Sequence, residues 1–294
     1  MEKSAITIKA ANASANTSAA EMSEYLTAIW NSYKVGTEDL EKYVDMMAAL
    51  GAKTASSMEE IATAMQKVAA TANTVGVGFD QMSSIISTVS SVTRESAESI
   101  GTSYKTILAR IGDLKLGEVV EDGVTVTLGS VSKELQKIGV NILDANGEMR
   151  DMGGVIEEIG VKWQGMTTAQ KAAVAQTIAG KRQYTQLMAL FENWDQYQKN
   201  MTITAGAEGS LDTMQDRWAE GWEAASAKVK NSMQGIWSDL INDKAITNFL
   251  NIIAEMVSGI DSLVEGMGGF GNVMTLVAGT IMSKFGNRTT EIFD

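Results

Sequence analysis

Apolar residues recur every three or four positions through most of the chain, which predicts amphipathic helices almost throughout. Leu40, Tyr43, Val44, Met47 and Leu50 make one stripe, in a helix that starts at Glu38-Asp39-Leu40 and that Gly51 is expected to end. Met58, Ile61, Met65 and Val68 make the next. Ser57 precedes it with Glu60 three residues on, the spacing of a capping box. The pair then recurs. Met82, Ile85, Ile86, Val89 and Val92 repeat the first stripe at an offset of 42 residues, and Ile100–Ile107 repeats Ile61–Val68 at an offset of 39. The difference places a loop three residues shorter in the second pair. Ser18 to Trp30, with Met22, Leu26 and Ile29 on one face, has the character of the closing helix of a preceding copy. Residues 1–17 are then expected to be the tail of an earlier unit. Self-similarity at roughly 40 residues is the mark of stacked helical hairpins, each burying its stripe on the next.

The pattern changes between Leu116 and Gly129, where Glu118-Val-Val-Glu-Asp-Gly-Val-Thr-Val-Thr127 places Asp-Gly between β-branched residues, a short-hairpin signal. A helix ending in Ile138-Gly139-Val140 follows, then the turn Asp144-Ala145-Asn146-Gly147, which is expected to set up a second short strand pair. Another amphipathic helix leads to Gly165-Met166-Thr167-Thr168 as a helix start, and an alanine-rich helix closes on Ala179-Gly180-Lys181-Arg182. Thr202 to Gly209 reads as a polar connector. Ser210 or Asp212 then opens a long helix striped by Trp218, Trp222, Ala225, Val229, Met233, Trp237 and Leu240. A further helix over Ile246–Ile260 runs into a Gly-containing apolar stretch. The expected fold is all-α: stacked amphipathic hairpins with a small β-hairpin insert and a long C-terminal helix. Its divisions fall at 1–115, 116–200, 201–245 and 246–294.

Composition sharpens the helical reading and narrows the chemistry. None of the 294 residues is proline, where average usage would give about 15, so no helix is kinked by a missing N–H. Cysteine and histidine are absent as well, which excludes disulfides, thiol nucleophiles, imidazole acid–base chemistry and most zinc or iron sites. A net charge of −12, with the cations scattered, argues against static nucleic-acid binding. No basic-then-apolar leader opens the sequence, and host-cytoplasmic synthesis is expected.

The motifs that hint at sites fail on inspection. Asp144-Ala-Asn-Gly-Glu resembles the opening of a calcium loop, but the glycine is misplaced and Val155 stands where a bidentate glutamate belongs. Gly180-Lys181 lacks the first glycine of a phosphate loop, and Arg182 stands where Ser or Thr must hold magnesium. Paired acids such as Glu157-Glu158 fit an exposed, solvated helix face better than a glycosidase pair. No enzyme activity and no cofactor is expected. The 18 charge-free residues from Gly266 to Ser283 reach membrane-spanning length, but six of them are Gly or Asn. A buried helix or subunit contact accounts for them better, with transient membrane contact through 246–283 as the rival reading.

The stretch Lys133–Asn193, from Ile138-Gly139-Val140 through Asp144, Asn146 and Gly147 to Trp163, Gly165 and Ala179-Gly180-Lys181-Arg182, resembles the core of phage tail tape-measure proteins. The likeness extends over roughly 21–240. It implies a structural virion protein of the tail lumen. Several copies would run through the growing tube, template its assembly and length, and leave before the DNA. The partners implied are further copies of the chain, tail tube and baseplate or tip proteins, and a tail assembly chaperone. On this reading Gly139–Gly147 sets a hairpin geometry, while Trp163, Gly165, Gly180, Lys181 and Arg182 carry the likeness and are taken with them as interaction residues. Trp218, Trp222 and Trp237 are contact positions. A membrane-active helical protein and a non-phage helical scaffold remain as alternatives.

Overall fold

A computed structural model describes residues 2–14, 17–34, 36–116, 118–121 and 124–217. Three helical hairpins come first. They are α1 (Glu2–Ala13) with α2 (Ala19–Tyr33), α3 (Thr37–Lys53) with α4 (Met58–Thr74), and α5 (Phe79–Thr93) with α6 (Ala97–Leu116). The hairpins stack: α2, α4 and α6 pack in order on one another, and α1, α3 and α5 do the same. The 39-residue period covers three copies, the first of them the preceding copy whose closing helix the sequence placed at Ser18–Trp30. Met22, Ile61 and Ile100 are equivalent and fully buried, as are Leu26, Met65 and Tyr104, and Ile29, Val68 and Ile107. Each of these helices starts on a serine at the same period. Ser18 accepts from the Glu21 N–H, Ser57 from Glu60 and Ser96 from Ser99, and the first two are complete capping boxes. The hydroxyls occupy N–H groups that have no partner inside the helix.

Several boundaries differ from the sequence reading, four of them in the hairpin stack and α10. Residues 2–13 are a full helix paired with α2, hence the opening arm of a hairpin and not the tail of an earlier one. Gly51 does not end α3, which continues to Lys53. A Cβ at Gly51 would sit 2.7 Å from the Met58 backbone nitrogen, so glycine is there to let the next helix start close by. The shortening of the second hairpin falls mostly in its first helix, with 17 residues in α3 and 15 in α5. Finally, α10 (Trp194–Ala205) runs through the first half of the supposed connector. Thr204 is buried there, and packing against α3 and α5 overrides the weak helix propensity of threonine.

After α6 the chain forms the expected antiparallel hairpin, β1 (Glu118–Glu121) and β2 (Val124–Thr127), with Val119 opposite Val126. Then come α7 (Leu128–Gln136), α8 (Met152–Trp163), the long α9 (Thr168–Glu192) and α10. The Asp144 turn makes only an isolated bridge, Leu143 to Met149, and no second strand pair. Helices α9 and α10 close over α5, which also meets α3, α4 and α6. Enclosure on so many sides buries even the polar face of α5, including Ser83, Ser84, Ser87 and Thr88. Their hydroxyls need internal partners. Ser87 bonds Thr54 and Ser56, and the fully buried Asn200 donates from its amide to the Thr88 hydroxyl at 3.0 Å.

Residues 210–217 are again helical. The predicted stripe at Trp218, Trp222 and Trp237, the remainder of the long C-terminal helix and the apolar stretch within 246–283 lie outside the described residues. Among the described residues, no helix is long and apolar enough to cross a membrane.

Candidate functional site

The singled-out residues are held by two different sets of partners. The first is the loop from α7 to α8. Helix α7 ends at Gln136, earlier than expected, and Gly139 at φ +70 turns the chain. Val140 donates to the Leu135 carbonyl and Gly139 to Gln136, the paired 6→1 and 5→2 bonds of a Schellman ending. Lys162 of α8 adds its ammonium to the Gly139 carbonyl at 2.6 Å and to that of Ile138, placing a cation at the negative end of α7.

Beyond it, the Asp144 carboxylate accepts from the backbone N–H groups of Asn146 and Glu148 at 2.8 and 2.9 Å. Gly147 supplies the positive φ of +81 that the turn requires. One oxygen of the leading would-be calcium ligand, Asp144 Oδ1, is therefore engaged by the turn itself. Arg150 fastens the loop to α8, donating to the Asn141 carbonyl and forking onto both Glu158 oxygens. That bond holds the Glu158 carboxyl below the usual carboxylate range.

Helix α8 is in turn tied to the hairpin stack. The N–H groups of Met152 and Gly153 donate to Val75 and Gly76 at the end of α4, at 2.9 and 3.1 Å. Gly160 lets Trp194 lie against the helix, since a Cβ there would come within 2.2 Å of its ring. Trp163, picked out as an interaction residue, is fully buried with Phe191 4.8 Å away. It is part of the core and offers no outward face. Gly165 sits in the α8–α9 turn, its N–H bonded to Lys162, just ahead of the Thr167–Gln170 capping box.

The second place is a break inside α9. Gly180 has φ +70 and ψ 172, a region open essentially to glycine alone. The helix does not close there, as the sequence suggested; it breaks and resumes to Glu192. Carbonyls just before a helix end lack in-helix partners. Arg110, 7% exposed on α6, meets them by donating to Thr177 at 2.6 Å and Ile178 at 3.1 Å. Past the break, Tyr104 donates to the Gln186 carbonyl at 3.0 Å, and Gln186 to Glu95. Burial pushes the Tyr104 hydroxyl far up, so it stays a neutral donor. Lys181 and Arg182 are exposed at the start of the resumed segment.

One contact lies outside both places. Asp45 of α3, 7% exposed, accepts from the Gly209 and Leu211 N–H groups at 3.0 and 2.8 Å. A buried carboxylate thus caps the helix that begins at residue 210, at its positive end. Lys9 of α1 reinforces this with an ion pair to Asp212 at 2.6 Å. Sequence reasoning missed Asp45 and Arg110. The available signal was a lone charge within an apolar stripe, as in Val44-Asp45-Met46-Met47 and Ile107-Leu108-Ala109-Arg110-Ile111. No cluster of acids that could hold a metal occurs among the described residues.

Residues 2–180 match the family described as phage-related minor tail protein. The match ends at the glycine that breaks α9. The chain is also similar to the tape measure protein of Pneumococcus phage Dp-1, 23% identical over 281 residues, which covers 90% of this chain and 23% of that protein. It therefore spans about a quarter of the length of that relative. No solved structure matches.

Proposed function

The chain belongs to the family of phage-related minor tail proteins, and we propose that residues 2–217 are a folded docking module of a tail tape measure, which grips the start of the tape helix. The protein is a structural component of the phage tail, and virion tail is its place. The observation that carries the module reading is the capping of the 210 helix by buried Asp45, backed by Lys9 and Asp212. A carboxylate from one element fixed to the first N–H groups of another sets where that helix starts and which way it leaves.

Length is the competing demand. A ruler must convert residues into ångströms, and 294 residues in one helix would reach about 440 Å. Hairpins fold the chain back on itself instead. The 20 residues of α6 span about 30 Å, and the helix before it spends its residues returning. Residues 2–217 are therefore built to present surfaces and hold position, while length is counted by sequence beyond residue 217. In this account several copies associate, and tube subunits polymerise around the tape from the baseplate or tip. A tail assembly chaperone keeps the tape from aggregating in the host cytoplasm, and the chains leave ahead of the genome.

Helical insertions test the division of labour. A 28-residue ideal helix placed after residue 217 is expected to lengthen tails by about 42 Å, read by electron microscopy. The same insert after Gly147, in an exposed turn, should leave tail length unchanged. Longer tails from the Gly147 insert, or unchanged tails from the 217 insert, would overturn it.

A further inference from the structure

The 39-residue period makes every position of α2 comparable with positions in α4 and α6, and one face of α2 breaks the pattern. Met58, Ala62 and Ala69 of α4 are buried, as are Gly101 and Leu108 of α6. The α6 positions face α4 closely enough that a Cβ on Gly101 would lie 2.6 Å from the Ala64 carbonyl oxygen. Their α2 equivalents are Ala19, Ser23 and Trp30. Ala19 and Ser23 are exposed and Trp30 is only half-buried. Together with Ile8 of α1, 53% exposed, they line a groove of about 520 Å³ whose lining side chains are all uncharged, in a chain of net charge −12.

We propose that this outer face of the α1–α2 hairpin is an acceptor for one further helical hairpin of the same 39-residue class. The face continues an interface the fold already uses twice, α2 on α4 and α4 on α6. The small side chain of Ser23, at the position equivalent to both Ala62 and Gly101, admits a helix at close range, and Ile8 and Trp30 supply apolar area to bury. A second copy of this module cannot extend the ladder in the same way. The face by which its α6 would receive a neighbour, marked by Ser103 at the position of Ala64, is buried and covered by α9. The occupant is thus a hairpin whose closing helix presents a forward face like that of α4. The inference rests on the repeat and stands apart from the tail role.

The chain has no cysteine, so a single Ser23→Cys, on the groove lining and at the position of buried Ala62 and Gly101, reports on the face cleanly. In the full chain its maleimide reaction should run at the rate of an exposed thiol. In a tandem variant, residues 37–78 are repeated directly ahead of Glu2, so that the natural α4-to-α5 connector leads into α1. There the reaction should slow by about tenfold or more, as for a site reached only by local opening. Adding Ala64→Arg in the added copy alone should restore the rate, because Ala64 is what Gly101 faces in the existing stack. An unslowed reaction, with the added hairpin helical or not, overturns the proposal, and so does slowing that survives Ala64→Arg in the added copy. Slowing in the parent chain that grows with its concentration overturns it too, by giving the face to a second copy.

Discussion

Replacing Gly180 with alanine tests the physical account of α9 most sharply. At φ +70 and ψ 172 a Cβ carries strain of about 1–3 kcal/mol if the backbone stays where it is. The backbone could instead yield, letting residues 168–192 join into one continuous helix and regaining about 1 kcal/mol of helix propensity. That would return the Thr177 and Ile178 carbonyls to their own helix and strip Arg110 of both acceptors. Hydrogen bonds to a charged group contribute about 1.5–3 kcal/mol each. The first route therefore costs about 2 kcal/mol and the second, two bonds less the propensity regained, about 2–5 kcal/mol, so the cheaper outcome is near 2 kcal/mol of lost stability. For a domain of this size that is a fall in Tm of roughly 4–8 °C, measured by thermal unfolding of the full chain at 222 nm. The signal before the transition separates the routes, since straightening raises helical ellipticity. Arg110→Met should cost a similar amount, and the double variant should fall short of the sum by at least about 0.5 kcal/mol because the two changes share one contact. An unchanged Tm for Gly180→Ala, or strict additivity with Arg110→Met, would refute the claim that glycine and guanidinium together make the break.

Other consequences are as direct. Asp45→Ala leaves the Gly209 and Leu211 N–H groups without their acceptor, at a cost of about 1–3 kcal/mol; hydrogen exchange at residues 209–213 should quicken by about five- to 150-fold, while α4 is unaffected. Glu158 titrates below its unfolded value because of Arg150, so their pairing is fully present above roughly pH 4.3 and is lost as pH falls through the folded pKa. Exchange in the 140–150 loop should accelerate over that acidic window, weakly because the pair is part-exposed, and Glu158→Gln should remove the dependence. Gly160→Ala and Gly101→Ala drive a methyl into the Trp194 ring and the Ala64 backbone, and each should destabilise by about 1–3 kcal/mol. Gly153→Ala should cost less in a side-by-side melt, because it meets the movable end of Gln81.

Much of this molecule is readable in one dimension because its information is periodic. The capping box at Ser57, the helix start at Thr167, the Asp-Gly hairpin and the hairpin repeat are local devices, written in consecutive residues and reproduced in the fold. The family block was legible too, and residues 2–180 carry the family match. Gly180 was seen as a stop. Whether a glycine ends a helix or breaks it depends on what waits beyond, and here α6 meets the resumed segment through Tyr104. Trp163 looked like a contact residue and is core, because a tryptophan on an apolar stripe reads alike in both roles.

What the sequence determined by itself was the class of structure: helices, their caps, their pairing into a 39-residue ladder, and the chemistry that a chain without cysteine or histidine cannot perform. These follow from short-range sterics, hydrogen bonding and the spacing of apolar residues, all of which act within a turn or two of chain. Only the tertiary structure decided which faces are closed. The serine face of α5 is buried because α9 and α10 return over it. Arg110 finds carbonyls 67 and 68 residues away, and Asp45 finds N–H groups 164 and 166 residues away. A charge within an apolar stripe announces that it needs a partner, but the partner is chosen by packing, and packing is a property of the whole chain.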